Sequence, residues 1–173
     1  MNSLLFRIIF LSAFLISTLS ASTIEISAKL IPRILFQSSI VSDKKTVNIA
    51  VVYTKNSLSK ARELKNKIKP NYKEYSIDVT LVDAAKSPFK FDKYEGAYIF
   101  SNSNIDIDNL VKEAKSNSVL TFSDSYAQLK QGILFFIESK RKIVIHLNAE
   151  SADRSNIGFN PTFLKYVKRY DGK

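Results

Sequence analysis

The chain has no cysteine and no tryptophan, one histidine, four glycines and four prolines in 173 residues. Without cysteine there is no disulfide framework, iron–sulfur cluster, thiolate zinc site or thiol nucleophile. A single histidine, His146, removes multi-histidine metal cages and leaves a histidine-based catalytic triad without support. Four scattered glycines (Gly96, Gly132, Gly158, Gly172) cannot assemble a GxGxxG or GxxxxGK[ST] phosphate loop. What is abundant is basic charge: 26 Lys and Arg against 16 Asp and Glu, a formal net charge of +10. Such a surface favours anionic partners through its field, although a lysine-, asparagine- and isoleucine-rich composition follows equally from coding bias.

Residues 1–21 carry one charge, Arg7, and then an apolar and small-residue run from Ile8 to Ala21. This reads as a secretory signal peptide, with Ser17 to Ser22 as the cleavage region. The apolar run is about 12–14 residues, short of the ~20 needed to span a bilayer as an uncleaved anchor. Export to the periplasm would leave residues 22–173 as one domain.

Within that domain, Ser22 and Glu25 have capping-box spacing and open a helix expected over Thr23 to Ser38, with Pro32 inside it. Thr46 to Tyr53 is a strand apolar on both faces, as in a sheet covered by helices. A helix follows from Asn56 or Ser57, with Leu58, Ala61, Leu64, Lys65 and Ile68 on its inner side and Pro70 closing it. Ser76 to Val82, Ala97 to Phe100 and Val119 to Phe122 are further strands, with a helix from Asp106 to about Lys115. Ile133 to Ile137 and Ile143 to Leu147, joined by five residues, form an antiparallel hairpin. Helices are expected near Ala149 and from Asn160, the last turning Phe163, Leu164 and Val167 inward. The sum is a three-layer α/β domain with a mixed, mostly parallel central sheet ending in an antiparallel hairpin.

No catalytic, cofactor-binding or metal site emerges. Asp106 and Asp108 read as a helix start, and His146 has no partner promised by spacing. Thr121, Ser123, Asp124 and Ser125 gather at the carboxyl end of a parallel strand, the edge where ligands bind in such sheets. They read equally as a turn capping the helix at Tyr126. Lys140 to Lys142 and the tail residues Lys165, Lys168, Arg169 and Lys173 read as solvated charge, and a chain expected to leave the cytoplasm does not point to nucleic acid.

The segments Leu120-Thr121-Phe122-Ser123-Asp124, Gly132-Ile133-Leu134-Phe135-Phe136 and Ile143-Val144-Ile145-His146-Leu147-Asn148 with Ala152 closely resemble the signature of the YfiR family. The likeness is strongest over Val119–Val167. It departs at Gln131, where the family commonly has a second glycine, and in the absence of cysteine. The resemblance implies a non-enzymatic periplasmic regulator that restrains an inner-membrane diguanylate cyclase, answers to an outer-membrane lipoprotein and forms a homodimer. It marks Thr121, Ser123, Asp124, Gly132, Asn148 and Ala152 as motif residues of a possible binding edge. The alternative is a small-ligand-binding periplasmic component serving a sensor kinase or transporter.

Overall fold

A computed structural model describes residues 22–41, 44–86, 90–101, 105–140 and 142–172. The expected signal peptide and the basic residues Arg141 and Lys173 lie outside the described residues. Helix α1 (Thr23–Leu35) is followed by strand β1 (Thr46–Tyr53), α2 (Leu58–Lys67), β2 (Asn71–Tyr72) and β3 (Tyr75–Asp83). Then come β4 (Gly96–Ile99), α3 (Ile107–Ser116), β5 (Leu120–Ser123), α4 (Tyr126–Lys130) and β6 (Phe135–Ser139). The chain closes with β7 (Ile143–Asn148), α5 (Ala149–Arg154), α6 (Pro161–Leu164) and β8 (Val167–Tyr170).

Among the described residues the strands form one eight-stranded sheet in the order β2-β3-β1-β4-β5-β6-β7-β8. From β3 to β6 every pairing is parallel; β2–β3 and β6–β7 are antiparallel, and β8 runs parallel to β7. The three-layer, mostly parallel expectation is met. Strand β1 sits in the middle because the chain leaves it toward β3 on one side and returns to β4 on the other. Its Val47, Ile49, Ala50, Val51 and Val52 are wholly buried, each Val or Ile contributing about 1.5–3 kcal/mol by leaving water.

Two cores flank the sheet. The larger joins α1 and α2 to Val47, Ile49 and Val51 of β1, Tyr98 of β4, Phe122 of β5 and Phe135 of β6. The Ala152–Ile157 segment and Phe163 extend this layer toward β8. The smaller packs Ile107, Leu110 and Ala114 of α3, with Phe91 and Tyr94, on Ala50, Val52, Ala97 and Ile99. That second face is therefore helix-covered at β1, β4 and β5. Over β6, β7 and β8, among the described residues, that face is packed by α4 through Tyr126.

Three local expectations change. The last helix is a single turn, Pro161–Leu164, after which Val167–Tyr170 pairs with β7 as a strand. Its β-rich pattern, with Val167 inward and Lys168 outward, obeys a period of two and not 3.6. Lys65 of α2 is exposed, because the stripe through Ala61 and Leu64 is narrower than expected. Of the capping box only half forms: the Ser22 hydroxyl accepts from the Glu25 amide, while the Glu25 carboxylate turns to Lys29 Nζ at 2.8 Å.

Candidate docking surface

The six motif residues fall into three places. Thr121, Gly132 and Asn148 meet at the corner where β5, α4, β6 and α5 join, and line a concavity of about 380 Å³ with Lys115, Glu150 and Arg154. Thr121 Oγ1 accepts the Leu134 amide at 2.9 Å, carrying the β5–β6 ladder past its last paired residues. Asn148 works in two directions. Its Oδ1 accepts the Ser151 amide at 2.9 Å, capping α5, and its Nδ2 donates to the Leu129 carbonyl at 2.7 Å. Gly132 has φ +107, and a Cβ there would stand 3.0 Å from Val111 Cγ1. The turn from α4 into β6 thus requires glycine on two counts.

Ser123 and Asp124 lie at the other end of β5. The Ser123 hydroxyl is buried, accepts the Ser125 amide at 3.0 Å and donates to Gln128 Oε1. Ser125 caps α4 by accepting the Gln128 amide. Asp124 Oδ1 accepts the Ser101 amide at 2.8 Å, tying the end of β5 to that of β4. Ala152 is buried in the larger core, across the sheet. These contacts hold the fold together and leave the Ser123 hydroxyl no freedom to act as a nucleophile. Asp106 caps α3, accepting the Asn109 amide at 3.1 Å, and among the described residues no three His, Cys, Asp or Glu side chains group to hold a metal ion.

The feature not read from sequence is an aromatic face on β6–β8. Because side chains alternate along strands, Phe136, Glu138, Val144, His146, Lys168 and Tyr170 share the thinly covered side. Tyr126 packs its ring against Phe136, His146 and Tyr170 at centroid distances of 5.8, 5.7 and 6.0 Å, and Phe136 stacks on His146 at 5.2 Å. Tyr126 is still 42% exposed, and Phe136, Val144 and Tyr170 are half-buried. Lys130 Nζ stands 5.4 Å from the Tyr126 ring.

His146 has a partner after all. Its Nε2 is 3.0 Å from Glu138 Oε2. The hairpin register pairs Phe136 with His146 and Glu138 with Val144, so Glu138 and His146 are diagonal neighbours on one face, within reach for long side chains. Registering the two strands, and not counting residue spacing, would have found the pair. The hydrogen bond from His146 holds the Glu138 carboxyl below the ordinary carboxylate range, helped by the charges of Lys140 and Lys168, while partial burial opposes. A structural hydrogen-bonded pair set among aromatics, with an exposed ring at its rim, suits recognition of another protein better than proton transfer.

No curated protein matches the chain. A solved structure of a conserved domain protein from Vibrio cholerae O1 biovar El Tor superposes with a TM-score of 0.62 at 14% identity, over 86% of this chain and 60% of that one. That likeness shows the fold; the chain spans about 60% of that protein's length. The sequence profile of the family DUF4154, described as YfiR/HmsC-like, matches residues 36–167, from just after α1 to the first residue of β8. Hydrogen-bonded Thr121, Asn148 and the obligatory Gly132 all lie within that match, and the chain belongs to the YfiR/HmsC-like family.

Proposed function

We propose that the protein is a periplasmic regulatory binding protein, exported by a cleaved signal peptide, that docks on the periplasmic part of an inner-membrane diguanylate cyclase and holds it inactive. Family membership supports the regulatory role. The observation that supports docking is the half-exposed aromatic face of Tyr126, Phe136 and Tyr170 beside the Glu138–His146 pair, since aromatics anchor most protein interfaces. Repression needs no chemistry, only tighter binding to the inactive state of the partner than to the active one. An outer-membrane lipoprotein competing for this face would release the cyclase, and a homodimer is the working form. The motif residues Thr121, Ser123, Asp124, Gly132, Asn148 and Ala152 act beneath the docking face by fixing the strands that present it.

The small-ligand alternative placed its ligand at Ser123 and Asp124. With Ser123 buried and both side chains engaged internally, it has less support than docking. Deleting the gene should raise cellular cyclic di-GMP, and the protein should recover an inner-membrane partner from solubilised membranes. Unchanged cyclic di-GMP with no membrane partner recovered overturns the reading.

A further inference from the structure

On the α1 side of the sheet, opposite the aromatic face, two grooves adjoin, with Arg33 and Tyr72 lining both. The first lies between α1, the end of α2 and the β2–β3 turn, encloses about 410 Å³ and gathers Lys29, Arg33, Lys67, Lys69 and Lys73. Lys29 is paired with Glu25 at 2.8 Å and Lys67 with Glu63 at 3.8 Å. Among the described residues, Arg33, Lys69 and Lys73 have no carboxylate within ion-pair distance. Lys73 also holds a left-handed backbone, φ +52, that glycine would adopt without cost. The second groove, about 450 Å³, runs between α1 and α6 along Leu30, Ile34, Ile145, Phe163 and Tyr166, and Tyr166 is 77% exposed.

Uncompensated cations next to uncovered apolar surface call for a ligand with both characters. We propose that these grooves bind one single-chain amphiphile, its anionic head among Arg33, Lys69 and Lys73 and its alkyl chain along Leu30, Phe163 and Tyr166. Each volume lies in the roughly 300–1,000 Å³ range of small-molecule sites, and a concavity of that size admits one molecule and not a flat bilayer. A second copy fits poorly, because a two-fold contact sets the same patch against itself and would oppose like charges. A peptide added as a strand has little to pair with, since β2 is two residues long.

Calorimetry on the purified protein with inorganic phosphate, octyl phosphate and dodecyl phosphate, all below micelle formation, tests this. Dodecyl phosphate should bind saturably at one per chain, octyl phosphate at least about tenfold more weakly, because each fully buried methylene is worth about fourfold; inorganic phosphate should bind more weakly than either. Arg33→Gln with Lys69→Gln should weaken dodecyl phosphate by about tenfold or more, and Phe163→Ser should flatten the chain-length dependence. Lys73→Gly, which relaxes the backbone, should weaken binding without lowering the melting temperature. Affinity independent of chain length, unchanged affinity in the charge variants, binding only to phosphatidylglycerol vesicles, or binding of an acidic apolar peptide with none of dodecyl phosphate each overturns the proposal. These outcomes concern the face opposite Tyr126, so they leave the regulatory docking test separate.

Discussion

Among the described residues, the buried hydroxyls of Ser27 on α1 and Tyr98 on β4 approach each other but make no hydrogen bond of normal geometry. Burial pushes the Tyr98 pKa well up, the Asp124 charge adds to this, and the weak hydrogen-bonding approach of the Ser27 hydroxyl opposes it. A buried hydroxyl with no partner costs about 1–3 kcal/mol in desolvation. Replacing both by apolar groups of nearly the same shape, Ser27→Ala with Tyr98→Phe, should therefore raise stability by about 1 kcal/mol in urea denaturation; a loss of that size would mean that the two hydroxyls are satisfied after all. Glu138 gives a pH signature. A carboxyl held below its unfolded value of about 4.5 contributes stability above that pH and loses it as the pH falls through the folded value. In Glu138→Gln the decline in stability on acidification below pH 4.5 should be shallower than in the parent, read from melting temperatures at successive pH values.

At the scale of elements, the corner built by Asn148 decides how the second half of the chain folds. Its side chain caps α5 and ties β7 to the end of α4, so Asn148→Ala removes a cap worth about 1 kcal/mol and strands a buried carbonyl. A cost of about 2–3 kcal/mol in equilibrium unfolding is expected; Asn148→Asp, which keeps the cap and loses the donor, should fall between. This corner also explains what could be read from sequence. Strand β1 and the β6–β7 hairpin were visible because a continuous apolar run and a short polar connection are local patterns. Strand β8 was not, since the single-turn α6 before it, with Pro161 at its first turn, imitates the start of a longer helix. Likewise, Thr121, Gly132 and Asn148 stood out as a motif, but whether a polar side chain faces a ligand or a backbone amide depends on strand register. Sequence spacing cannot supply that, and the Glu138–His146 pair was hidden for the same reason.

At the scale of the molecule, the sheet is unequally dressed. Among the described residues, one face carries α1, α2 and the α5–α6 segment along its length, whereas on the other α3 packs against β1, β4 and β5 and Tyr126 of α4 packs over β6–β8. With a net charge of +10, any membrane partner will also feel a diffuse attraction, and the two contributions separate by salt. Charge attraction acts over about 10 Å at 0.1 M salt but only about 3 Å at 1 M, while burial of aromatic rings persists. Tyr126→Ser should cut recovery of the membrane partner by about tenfold or more at both salt concentrations, the loss expected of an interface anchor. Its own stability should fall by no more than about 1–2 kcal/mol, since the ring is partly exposed and its edge contacts are worth about 0.5–1.5 kcal/mol each in buried settings. Recovery that collapses with salt and ignores Tyr126 would instead make the contact one of charge, and would take the docking site away from the aromatic face.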